Sequence, residues 1–234
     1  MNVANTVAKK FGVQNWESAE SFNDSIGLSE WHKESLESNA FCTLKYELYE
    51  DLRPSISDIK HNFRRSYKSL INSASRTWSS GVLADTDTES VWEEFRKLHL
   101  KVTQRVTRSY ETWRMQLAEI ECHSAFLVWL RNTEGEMVGG GYFSFTRDEG
   151  LYAVGAYDRS LFDKPLGHLV QYRAIEELKK RGVRWYKIGA RPYLCDIPQP
   201  TEKEISIGDF KQGFSSSTFP KYHFMHEVIR DENH

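Results

Sequence analysis

The stretch Ile207-Gly208-Asp209-Phe210-Lys211-Gln212-Gly213-Phe214 decides how this chain is read. It is a basic-aromatic run, expected as a turn, and what precedes it gives it meaning. A helical pattern and a strand fill Leu166–Ile188, and a proline-broken loop, Arg191–Pro200, leads into the run. A further strand, Leu151–Ala156, lies before the helix. Strand, crossover helix, strand and closing turn describe an α+β domain with a mixed sheet.

Working toward the N-terminus, Phe41–Tyr49 alternates Cys42, Leu44, Tyr46 and Leu48 with Thr43, Lys45 and Glu47, a period-2 strand. Pro54 stops it. Ser55 with Asp58 makes a capping-type helix start, and Ile56, Ile59, Phe63, Tyr67, Leu70, Ile71 and Ala74 trace one apolar stripe. Trp78-Ser-Ser-Gly81 breaks that helix. Thr88 opens a second, with Val91, Trp92, Phe95, Leu98 and Val102 on its apolar face, and Tyr110–Glu121 is a third. Strands follow at Ala125–Leu130 and at Met137–Phe145, which carries a glycine triplet. Gly182 ends the helix Leu166–Arg181, Val183–Ile188 is the next strand, and Tyr222–Ile229 the last. Residues 1–40 are polar and weakly patterned, a leader or the remnant of a preceding half-domain, so the folded domain is expected over 41–230.

The chain has 234 residues, 39% apolar and 27% charged, enough for a sizeable core. Its net charge of −2 excludes a generally basic nucleic-acid binder. No run approaches the roughly 18 apolar residues of a membrane span, and Met1–Phe11 has no apolar signal region. Cys42, Cys122 and Cys195 show no CxxC spacing, which points to a reducing, cytoplasmic setting and away from a structural metal. No glycine-rich phosphate loop of the dinucleotide or P-loop kind occurs.

Three groupings carry candidate chemistry. Lys60, Arg64 and Lys68 fall four apart, with Arg65 beside them and no acid in between. Their flank is either a phosphate-facing surface or an ordinary solvated helix face. The crossover loop Asp158–His168 brings Gly167 and His168 to a helix start, where backbone N–H groups hold phosphates. Pro165 removes one such donor. Lys187, Arg191 and Tyr193, with Lys211, stand where a strand passes into a loop, a place suited to an anionic substrate or an oxyanion. An amine nucleophile needs a base, and Asp158 and Asp209 are the candidate carboxylates. Asp209 also reads as a simple cap of the element beginning at Phe210.

The order of these features resembles the second half-domain of the Fem peptidyltransferase family, a branch of the GNAT-like acyltransferases. The resemblance is carried by Ile59–Ala74, Met137-Val-Gly-Gly-Gly-Tyr, Tyr152–Ala156, Tyr186-Lys-Ile-Gly189 and Phe210-Lys-x-Gly-Phe. It implies a GNAT-like fold and an N-acyl or aminoacyl transferase. The donor would be acyl-CoA or aminoacyl-tRNA, the acceptor an amine of a cell-wall peptide, other peptide or amino sugar, with no permanent cofactor and no metal. The departure of the crossover loop from the acetyl-CoA pattern supports a second reading, a catalytically idle GNAT-fold module binding a nucleotide-sugar or RNA.

Overall fold

The computed structural model describes residues 41–83 and 88–225. The expected leader 1–40 and the end of the expected last strand lie outside the described residues. The strands are β1 (Phe41–Asp51), β2 (Ser79–Leu83), β3 (Ala125–Arg131), β4 (Met137–Phe145), β5 (Glu149–Tyr157), β6 (Trp185–Ala190) and β7 (Ser217–Met225). The helices are α1 (Ile56–Asn62), α2 (Arg65–Thr77), α3 (Thr88–Thr103), α4 (Tyr110–Glu121), α5 (Leu166–Lys180) and α6 (Glu202–Gln212). The strands form one mixed seven-stranded sheet in the order β2-β3-β4-β5-β6-β1-β7, with β2 to β5 antiparallel and β5–β6 parallel. This is the α+β architecture with a mixed sheet expected from the crossover pattern.

The chain divides into two units. The larger holds residues 49–189 and 213–216. The smaller holds, among the described residues, 41–48, 190–212 and 217–225.

In the larger unit, the apolar stripe of α3 places Trp92, Phe95 and Leu98 in a buried cluster with Trp113 and Ile120 of α4 and Leu127, Tyr142, Val154 and Ala156 of the sheet. Burying each such large side chain contributes about 2–3 kcal/mol before ordering costs. On the other side, α5 packs through Leu169, Val170, Ala174 and Leu178. The glycine triplet of β4 has a steric reason. A Cβ on Gly140 would stand 3.0 Å from the Phe95 ring, and one on Gly141 would stand 2.8 Å from Val170 Cγ1. Successive strand residues face opposite ways, so two adjacent glycines let α3 and α5 approach β4 from its two faces.

Several boundaries differ from expectation. The single helix expected from Ile56 to Ala74 is broken at Phe63, which is extended and buried against Phe214 and Tyr172. The Arg64 amide donates to Gly213 O at 2.9 Å instead of continuing a helical ladder. Lys60 therefore does not share a helix with Arg64 and Lys68, and its Nζ donates to Asn72 Oδ1 at 2.9 Å. The break read at Trp78-Ser-Ser-Gly81 continues into strand β2, which the sequence reading missed. Strand β6 begins at Trp185 because Val183 is committed elsewhere: its amide donates to Leu178 O while Gly182, at φ +76°, donates to Lys179 O. That paired bonding is the Schellman closure of α5. The expected turn at 207–214 is largely the end of helix α6. That helix starts from a reciprocal cap, in which Glu204 N–H donates to Thr201 Oγ1 and Thr201 N–H donates to Glu204 Oε2.

Candidate active site

The larger unit contains a gap in its sheet. Strands β5 and β6 pair in parallel at Glu149–Trp185, Gly150–Tyr186 and Leu151–Lys187, and their register ends there although β5 runs on to Tyr157. Ala153 and Gly155 are exposed while Val154 and Ala156 are buried, so one face of this part of β5 is open. A bulge sits at the same point. Tyr142 of β4 pairs with Val154 and Phe143 pairs with Tyr152, so Ala153 is the extra residue on β5.

The bulge changes which side chains share a face. Tyr152 and Tyr157 are five residues apart and would face opposite ways in a regular strand. With Ala153 looped out, their hydroxyl oxygens lie 3.0 Å apart. Gly155 is required beneath them, because a Cβ there would lie 1.8 Å from the Tyr152 hydroxyl. From α5, the fully buried Gln171 accepts a short hydrogen bond from the Tyr186 hydroxyl. Burial pushes the phenols of Tyr152, Tyr157 and Tyr186 up, so all three are neutral hydrogen-bond donors at neutral pH. Sequence reading missed this group, since strand alternation separates its tyrosines and only the bulge unites them.

The start of α5 lies in the same unit. Its N-cap, Pro165, makes no side-chain capping bond, and the first turn has no acid. Gly167 and His168 occupy that turn. The amides of an uncapped helix start and its dipole both favour an anion. The His168 ring packs edge-on against Tyr67 at 4.5 Å between centroids. Burial first, and then the positive charge of Arg64, lowers His168 to about 4, so the imidazole is neutral at pH 7. Arg64 lies over the Tyr67 ring at 5.2 Å and donates to its hydroxyl at 3.4 Å. The structure thus brings Arg64 and His168 to one aromatic group, with Arg65 and Lys68 following on α2. Arg65 is exposed and Lys68 half-buried.

Asp158 closes β5. It caps the short 3-10 turn Arg159–Leu161 through Ser160 and pairs with Lys101 Nζ at 2.8 Å. The hydrogen bond from Lys101, followed by those from Ser160, holds its carboxyl down to about 2. That carboxylate is a fixed anion at neutral pH and a weak base.

Within the smaller unit, Arg191 Nη2 donates to Asp209 Oδ1 at 2.7 Å, and its Nε donates to Gln212 Oε1 at 2.9 Å. The Arg191 guanidinium lies 4.9 Å from the Tyr193 ring, which meets Tyr46 edge-on at 5.2 Å. Arg191, Tyr193 and Asp209 are therefore one cluster, and Lys211 sits half-buried in the last turn of α6. Asp209 lies inside α6 and caps no element starting at Phe210. Arg64, Arg65 and Lys68 belong to the larger unit, Arg191 and Lys211 to the smaller. Among the described residues no three of His, Cys, Asp and Glu group to hold a metal, and no helix is long and apolar enough to cross a membrane.

Comparison with known proteins bears on this geometry. Residues 57–196 match the family described as Acetyltransferase (GNAT) domain. No curated protein sequence matches. Similar solved structures include FemX, at 13% identity and TM-score 0.56 over 75% of this chain and 61% of that one. Another is L-PGS from Bacillus licheniformis, at 16% identity and TM-score 0.59, covering 85% of this chain and 66% of that one. A third is the C-terminal domain of a putative lysylphosphatidylglycerol synthetase from Agrobacterium fabrum, at 12% identity and TM-score 0.59, over 81% and 62%. The chain spans less than two thirds of the length of each, and at these identities the likeness is one of fold.

Proposed function

Because the chain belongs to the acetyltransferase (GNAT) family, we propose that it moves an acyl or aminoacyl group from a thioester or a tRNA ester to an amine. The acceptor is an amine of a cell-wall peptide, another peptide or an amino sugar. The observation that carries this reading is the sheet gap beside the uncapped start of α5, both within one unit. An extended donor arm can add to the exposed edge of β5 by strand-like hydrogen bonding. Its phosphates then meet the first-turn amides of α5 near Gly167 and His168, with Arg64, Arg65 and Lys68 as countercharges. The amine attacks the carbonyl carbon directly, and the carbon–sulfur or carbon–oxygen ester bond breaks as the amide forms. Neutral Tyr152 and Tyr157 offer hydrogen bonds to charge developing on oxygen or on the leaving atom.

The acceptor's ammonium must lose a proton. Asp158, held ionised by Lys101, suits anchoring of that ammonium better than removing its proton. Asp209 is held by Arg191 in the same way, so the proton is proposed to leave through water, and Arg191, Tyr193, Lys211 and Asp209 stand as a separate polar cluster of the smaller unit. Incubation with acyl-CoA or charged tRNA and a panel of amines, with mass detection of the amide, is the direct test. Transfer from neither donor class to any amine overturns the reading. Pro165 at the helix start keeps one rival in view, an inactive module that binds RNA or a nucleotide-sugar. Thermal stabilisation by those ligands and by no thioester is the outcome that selects it.

A binding prediction follows from the larger unit. Arg64→Ala and Arg65→Ala are each expected to weaken a phosphate-bearing donor by about 1–2 kcal/mol in titration calorimetry. The loss should shrink in high salt, where these exposed contacts are already screened. Unchanged affinity in both folded variants returns the start of α2 to an ordinary solvated face.

A further inference from the structure

A cavity of about 630 Å³ lies in the larger unit, between α3, the β3–β4 hairpin and the end of β5. Its apolar wall is Leu98, Met137 and Val138. The remaining wall is charged, and the two signs balance. Glu94, Lys97 and Lys101 fall at spacings of three and four on α3 and so share one flank of that helix. Arg131 and Glu136 come from the hairpin, and Asp158 from the end of β5.

Two ion pairs pin this arrangement. Arg131 Nη2 lies 2.8 Å from Glu94 Oε2, and its Nη1 also donates to Gly135 O at 2.8 Å. Lys101 Nζ lies 2.8 Å from Asp158 Oδ2. Two charges are outside these pairs. Lys97 is exposed on α3 and forms no ion pair among the described residues. Among the described residues, Glu136 accepts a side-chain hydrogen bond only from the neutral amide of Asn132, Nδ2 at 3.1 Å. A purely anionic ligand would meet three carboxylates here, and a purely cationic one three cations. A ligand bearing both charges meets Lys97 with its carboxylate and Glu136 with its ammonium, and leaves both pinned pairs intact.

We propose that this cavity binds a zwitterionic amine, an amino acid or a dipeptide. Its carboxylate is held by Lys97 and its ammonium by Glu136. Asp158 joins this cavity to the end of the gapped strand, so on the acyl-transfer reading the zwitterion is the acceptor. Only that assignment of role rests on the transferase reading; the binding stands by itself.

The test is titration of the full chain with glycylglycine, N-acetylglycylglycine and glycylglycine methyl ester, followed by calorimetry or NMR shifts. Glycylglycine is expected to bind saturably, and each singly charged derivative about tenfold more weakly or worse. Lys97→Ala should abolish the preference over the methyl ester, and Glu136→Gln the preference over the N-acetyl form. Both side chains are exposed, so thermal melting should show the variants folded, and Lys180→Ala should bind the dipeptide as the parent does. Equal affinity for all three compounds, or no saturable binding at millimolar concentration, overturns the proposal. Dipeptide binding with the expected variants but no acyl transfer to any amine leaves the cavity standing and removes the transferase. Transfer to amines that is untouched by Lys97→Ala and Glu136→Gln does the reverse.

Discussion

Glu50→Gln is expected to stabilise the protein by about 3 kcal/mol at pH 8 while leaving its stability near pH 4.5 almost unchanged. Glu50 lies on β1, is 3% exposed, and its carboxyl is pushed up from the ordinary 4.5 to about 7. Burial is the main cause, and hydrogen bonding from Ser216 opposes it without cancelling it. The sign follows from linkage. Below the unfolded value both states hold the proton, so the raised carboxyl costs nothing. Between about 4.5 and 7 the unfolded chain ionises while the folded chain keeps its proton, and stability is progressively lost. Glutamine does not titrate and escapes that loss. Urea denaturation of both proteins across this range measures it. A stability difference that stays flat with pH would falsify the assignment of a raised Glu50.

Gly155→Val is expected to cost about 2–3 kcal/mol and to abolish the proposed acyl transfer. A Cβ at this position falls 1.8 Å from the Tyr152 hydroxyl and 3.2 Å from the Tyr157 ring, so one or both rings must leave. Their mutual hydrogen bond goes with them, and the face of β5 shaped by the Ala153 bulge changes along its length. Gly135→Ala serves as the comparison, since nothing lies within 4 Å of a Cβ there, and its cost is only that of a side chain at φ +83°. Denaturant unfolding with the transferase assay reads both effects. A Gly155→Val protein of parental stability and activity would show that the two tyrosines are not held as described.

The candidate site was partly legible. Residue type and position marked Arg64, His168, Gly167 and Asp158, because cations without neighbouring acids and the start of a crossover helix are visible as spacing. Their roles were less legible. Asp158 read as a candidate base, yet Lys101, 57 residues away in sequence, makes it a fixed anion. Arg191 and Asp209 read as separate candidates for ligand and base, and they form a single ion pair. Partners of this kind come from distant segments, and no local pattern records them. The mixed-charge cavity was hidden for the same reason: its charges arrive from α3, the hairpin and β5, three segments that local patterning treats separately.

What the sequence determined by itself is what short-range repetition encodes. Helix α4 and strand β4 stand at their expected bounds, and α5 differs by one residue, because a 3.6-residue or two-residue apolar repeat selects its own conformation and caps mark its ends. Tertiary structure decided the rest, wherever a backbone group had a better partner far along the chain. Gly213 O takes the amide of Arg64 and so splits one expected helix into α1 and α2. Ser79–Leu83, read as a break because of Ser79, Ser80 and Gly81, becomes a strand by pairing with β3. The looped-out Ala153 reverses the alternation of β5 after it, placing Tyr152 and Tyr157 together beside the sheet gap. Each outcome turns on pairing between separate segments, which satisfies backbone groups that a local pattern would have paired otherwise.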